Sequence, residues 1–117
     1  MGTAREEMHG FATRWIPRFE EWGYGQLFET MEFSDDCRAL GFEMDCGEAF
    51  EDAYPRCFRS AEATERVISR CEDVSLLGSA LHSGWRYYNH WNSFGDFEPD
   101  ERAWFGVLLR RLAELTA

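Results

Sequence analysis

The sequence predicts an all-α protein, a single compact domain of five to seven helices across residues 1–117, and three observations carry that prediction. Val, Ile and Thr contribute only three, two and five residues, whereas Ala, Leu, Glu and Arg are common, and so few β-branched side chains disfavour a large sheet. Several stretches repeat large apolar residues at steps of three and four, the spacing that builds one helical face. No internal repeat, low-complexity tract or linker divides a chain whose length suits one domain.

The elements follow in order. Met8, Phe11, Trp15, Phe19 and Trp22 form a first apolar stripe. Pro17 lies inside it and lacks the N–H of the helical ladder, so a kinked helix, or two short ones meeting at Ile16-Pro17, is expected before Gly23-Tyr24-Gly25 ends the segment. Residues 26–54 read as short helices. Ser34, Asp35 and Asp36 are plausible caps for a turn over Cys37–Leu40 that Gly41 stops, and Asp45-Cys46-Gly47 opens another turn, which Pro55 closes. Ser60 marks the start of a helix carrying Ala61, Thr64, Val67, Ile68 and Cys71 on one face and ending near Glu72-Asp73. Ser75 is expected to cap the central helix, whose stripe is Leu77, Leu81, Gly84, Trp85, Tyr88 and Trp91. A loop over 92–98 leads to Pro99, suited to a first helical turn, and to a last helix with Trp104, Phe105, Leu108, Leu109, Leu112 and Leu115 on one side. Trp15, Trp22 and Trp104 belong to apolar stripes and are expected in the core, not as a platform for stacking bases.

Composition narrows the function classes. The formal charge is −10, which opposes direct binding to nucleic acid or to an anionic membrane. An aromatic content of 16% is too high for a disordered acidic tail, and no apolar run approaches the roughly 18 residues of a membrane span. The first residues offer no apolar export segment, so a cytoplasmic location is expected, with Cys37, Cys46, Cys57 and Cys71 as buried, reduced thiols. All 12 bases are Arg, which carries little functional weight. The cysteines contain no CxxC pair; Asp35, Asp36, Cys37, Asp45 and Cys46 offer oxygen and sulfur donors without an EF-hand or zinc spacing. No metal site and no cofactor is expected.

Three stretches, SDDCRALGFEMDCG at 34–47, LLGSAL at 76–81 and WRYYNHW at 85–91, together with Trp104-Phe105, give the chain a family likeness. It resembles a group of short, acidic, uncharacterised bacterial proteins, and the similarity runs through most of its length. The resemblance implies no activity and assigns no residue a role.

Two places stand out. Between residues 29 and 52 nine acids, Glu29, Glu32, Asp35, Asp36, Glu43, Asp45, Glu48, Glu51 and Asp52, face Arg38 alone, so this segment holds −8 of the net charge. It reads either as a solvated face or as a negative surface for a basic partner, since clustered charge raises association rates and rejects like-charged competitors. The second place is the polar back of the central helix, with Ser79, Ser83, Arg86 and His90 opposite the leucines and Tyr87 beside them. A buried Arg86 would need a carboxylate from the acidic segment, with His90 hydrogen-bonded nearby. Alternatively Arg86, Tyr87, His90 and Trp91 supply the Arg and aromatic anchors of a contact surface. Catalysis by His82 or His90 lacks a supporting motif around Ser83 or Cys71, and no catalytic residue is expected.

The expected function is therefore non-catalytic binding of a protein partner with a basic surface, through the acidic segment 29–52, without direct contact to nucleic acid or membrane. The alternatives are a DNA-mimicking inhibitor of a nucleic-acid-handling complex, of the kind mobile elements carry, and a small hydrolase or metal-dependent enzyme using His90.

Overall fold

The computed structural model describes residues 3–21, 27–91 and 97–117, with backbone alone at 27–30 and 91. Six α-helices occur, α1 Ala4–Glu20, α2 Leu27–Ala39, α3 Glu48–Ala53, α4 Ala61–Val67, α5 Val74–Trp91 and α6 Pro99–Thr116, with a 3-10 turn over Ile68–Arg70 and no strand among the described residues. The protein is all-α. No helix among the described residues is long and apolar enough to cross a membrane.

The local signals place several boundaries where the sequence puts them. The Ser60 side chain accepts from the Ala63 N–H, and Glu98 and Glu101 form a reciprocal capping box around Pro99. At the end of α2, Gly41 takes φ +76°, while Phe42 N–H donates to Cys37 O and Gly41 N–H to Arg38 O, the paired bonds of a glycine-terminated helix.

Besides α4, which gives way at Val67 to the 3-10 turn and stops short of the expected Glu72-Asp73, three boundaries differ from expectation. First, α1 is a single helix through Pro17 to Glu20, not two short ones meeting at Ile16-Pro17. The lost ladder bond and ring crowding are offset by Trp15 and Phe19, both almost fully buried on the same stripe. Second, Ser34, Asp35 and Asp36 lie inside α2 instead of capping a shorter helix. The Ser34 hydroxyl has His82 as its partner and the Asp36 carboxylate has Trp15 Nε1 at 2.8 Å and Arg14, so neither needs a helix end for satisfaction. Third, Asp73 and not Ser75 caps α5, accepting from Leu76 N–H at 3.1 Å. Trp22, the segment 23–25 and the loop at 92–96 lie outside the described residues.

The helix α6 packs on α1, α4 and α5, and α5 in turn carries α2 and α3. Between them lies an aromatic core: the near-parallel rings of Phe19 and Phe97 both stack on Phe105, at 4.5 and 5.3 Å, and on each other at 6.1 Å, and Phe33 meets Trp15 edge-on at 5.1 Å. Trp15 and Trp104 are both fully buried, as the stripes predict. His9 Nδ1 donates to Ala113 O at 3.1 Å and Arg5 Nε to Thr116 O, tying the start of α1 to the end of α6.

Candidate functional site

The acidic segment runs down α2, through residues 40–47 and into α3, and the turn in its middle is fastened to the polar back of α5. The Phe42 ring lies flat on Gly78, so closely that a Cβ there would fall 2.1 Å from it; only glycine permits the approach. One turn along α5, His82 Nδ1 lies 2.8 Å from Phe42 O and Nε2 lies 2.9 Å from Ser34 Oγ. A carbonyl only accepts, so Nδ1 carries the proton and, in the neutral ring, Nε2 accepts from the Ser34 hydroxyl. Burial holds the His82 pKa below its ordinary 6.5; the Phe42 hydrogen bond opposes this and the Arg38 charge adds to it. Next to His82, Ser83 Oγ donates to Asp45 Oδ1 at 2.9 Å and accepts from Asp45 N–H at 3.0 Å. The same carboxylate accepts from Gly47 N–H at 2.6 Å and Ala49 N–H at 3.3 Å, and so starts α3.

The nine carboxylates therefore divide. Glu32 pairs with Arg18, Asp35 with Arg38 and Asp36 with Arg14. Asp45 holds Ser83 and the start of α3, and the two oxygens of Glu51 accept from Arg56 N–H at 2.6 Å and Phe58 N–H at 3.1 Å. Asp36, Asp45 and Glu51 serve the fold, whereas the pairs of Glu32 and Asp35 are exposed surface contacts. Glu43, Glu48 and Asp52 are exposed and meet no cation among the described residues, whereas the side chain of Glu29 lies outside them.

On α5 the outcome differs from the buried ion pair that the sequence suggests. Arg86 is exposed and forms no ion pair with a described residue; His90 is exposed, Tyr87 is half-buried, and the side chain of Trp91 lies outside the described residues. The acidic segment supplies Asp45 to Ser83 instead of a partner to Arg86. Helix geometry explains this, because residues 82 and 83 face the 40–47 turn while 86 and 90, one and two turns further, clear its edge. A cleft of about 230 Å³ opens there, lined by Asp45, Cys46, Ser83, Arg86, Tyr87 and His90, so the two candidate surfaces meet. A second cleft of about 560 Å³ shares Cys46 and has Glu48, Asp52, Arg56 and Arg59 on its walls. Arg56 and Arg59 hold left-handed backbones, φ +68° and +70°, and the Arg59 guanidinium sits 3.9 Å from the Tyr87 ring centroid.

All four cysteines are free, and three are buried as expected; Cys46 is the exception, exposed at the junction of the two clefts. Burial pushes the Cys37 thiol pKa far up, so it stays protonated. No group of three or more His, Cys, Asp or Glu among the described residues is placed to hold a metal ion. Ser34 and His82 have the contact of a nucleophile and base, yet their exposures of 0% and 2% put them out of a substrate's reach. The Ser83 hydroxyl is committed to Asp45.

Sequence reasoning weighed His82 only as a catalytic base and missed its part in joining α2, the 40–47 turn and α5. The only available signal was its place beside Ser83 on the back of the helix. In comparisons with known proteins, no family matches the chain, and no curated protein and no solved structure matches it either.

Proposed function

We propose that the chain is a non-catalytic protein that binds a protein partner through its acidic segment, with Glu43, Glu48 and Asp52 as the charged contacts. The anchoring of the 40–47 turn carries this reading. Phe42 on Gly78, His82 on Phe42 O and Ser83 on Asp45 hold the backbone from both ends, so the exposed carboxylates are displayed on a fixed frame. Preorganised contacts lose less side-chain and loop entropy on binding than mobile ones. The sharing of Cys46 between the clefts supports the same surface, because it joins the acidic segment to the Arg and aromatic side chains typical of contact anchors. Arg56, Arg59 and Arg86 interrupt the negative face, which favours a protein partner over a groove shaped for a duplex with uniform phosphate charge.

The test is affinity capture from a lysate of the source cells. The wild-type chain should retain a partner at low ionic strength and release it with salt, which screens exposed charges over about 8 Å at physiological strength. Glu43→Gln, Glu48→Gln and Asp52→Asn together should abolish capture while the helical spectrum and melting point stay nearly unchanged. Equal capture by the triple variant at every salt concentration would reduce these carboxylates to a solubilising face.

A further inference from the structure

The cleft between the 42–47 turn and α5 is small and its charges are unequally engaged. At about 230 Å³ it lies below the roughly 300–1,000 Å³ of pockets for drug-sized ligands, so its occupant is one short side chain or a molecule of that size. The one carboxylate on its wall, Asp45, already accepts from Ser83 Oγ, Gly47 N–H and Ala49 N–H. Arg86 on the same wall is exposed and has no carboxylate among the described residues. Tyr87 floors one side, with the Arg59 guanidinium over its ring adding a second positive charge nearby. A guanidinium presents two parallel donors that match both oxygens of a carboxylate and its charge; a neutral carbonyl uses them only in part and a cation not at all.

We infer that this cleft is a carboxylate pocket in which Arg86 receives an acidic side chain of the protein partner. The inference rests on the partner-binding reading above, and it narrows the partner to a segment that carries an acid between bases. The acid enters the cleft; the bases meet Glu43, Glu48 and Asp52 at its rim. A partner built only of positive charge would leave Arg86 facing like charge, which costs affinity.

The exposed Cys46 thiol in the same cleft allows a test without the partner. Iodoacetate and iodoacetamide alkylate a thiol by the same step: the sulfur attacks the CH₂ carbon, a C–S bond forms, iodide leaves with the bonding pair and the thiol proton passes to buffer. The two reagents differ in the carboxylate. The reference is a peptide of residues 43–52, which keeps Glu43, Asp45, Glu48, Glu51 and Asp52 and lacks Arg56, Arg59 and Arg86. The ratio of the iodoacetate rate to the iodoacetamide rate at Cys46 should be about fivefold higher in the folded chain, the Boltzmann factor for one unit-charge contact at about 4 Å in water. Arg86→Gln should lose most of the gain, with Arg59 accounting for the remainder, and Arg86→Lys should keep a larger part of it. Sodium succinate should slow the iodoacetate reaction more than sodium chloride of equal ionic strength does, in the millimolar range. Equal ratios in chain and peptide, an unchanged ratio in Arg86→Gln, or succinate no better than chloride would each overturn the pocket. Saturable protection at micromolar succinate would overturn the assignment to a partner side chain in favour of a free small carboxylate. Failure of the triple amide variant to lose capture would remove the acidic contact without touching the alkylation ratio, so the two readings fail separately.

Discussion

Substituting Gly78 by alanine sets two opposed effects against each other. Within a helix, Gly→Ala ordinarily stabilises by about 0.5–1 kcal/mol, because alanine has less conformational freedom to lose. At Gly78 the new Cβ falls 2.1 Å from Phe42 Cδ1, far inside van der Waals contact, and Phe42 is only 4% exposed. Either the core absorbs the methyl, at the usual overpacking cost of about 1–3 kcal/mol, or the ring leaves and forfeits the roughly 1.5–3 kcal/mol of a buried phenylalanine. Steric cost exceeds propensity by about 1–2 kcal/mol on either path, and the melting temperature should fall by about 4–8 °C. The decisive measurement is a double-mutant cycle in urea. Phe42→Ala alone should cost about 3–5 kcal/mol. With the ring gone, Gly78→Ala should change sign and stabilise by about 0.5–1 kcal/mol. If Gly78→Ala stabilises the wild-type background, Phe42 does not lie on this glycine and the anchoring of the acidic turn is wrong.

Three further outcomes follow from the same frame. His82 has its pKa held below 6.5, so the unfolded chain takes up a proton there first as the pH falls; the His82 contribution to stability should be constant from about pH 7 upward and decline as the pH drops below 6.5, so that the slope below 6.5 is flatter in His82→Asn, read from urea midpoints against pH. With an ordinary thiol reagent the native protein should acquire one adduct quickly, at Cys46, and four only in denaturant, because Cys37, Cys57 and Cys71 are buried; intact mass and peptide mapping locate the adduct. Asp45→Ala should destabilise by about 1–3 kcal/mol through loss of its bonds to Gly47 N–H, Ala49 N–H and Ser83, whereas Glu43→Gln should leave the melting point unmoved, a contrast readable by thermal denaturation.

What was legible in the sequence was whatever depends on neighbours along the chain. The helical period of α6, the caps at Ser60 and Pro99 and the glycine stop at Gly41 rest on contacts within a few residues, and all four stand in the structure. The all-α class follows from the same short-range statistics. The roles of the polar side chains were not legible, because their partners are distant. Ser34 meets His82 at 48 positions' remove, Asp36 meets Trp15 at 21 and Asp45 meets Ser83 at 38. Before the helices pack, Ser34 and Asp36 are indistinguishable from caps, and a count of −8 treats nine carboxylates alike. Packing separates them: five are drawn into ion pairs and hydrogen bonds, of which those of Asp45 hold the turn, while Glu43, Glu48 and Asp52 are left at the surface without a cation among the described residues. The same distance dependence governs α5. Its sequence identifies a polar back and cannot say how far along it a cover extends. The 40–47 turn covers residues 82 and 83 and stops short of 86 and 90. That one helical turn is the difference between a buried ion pair and an open cleft.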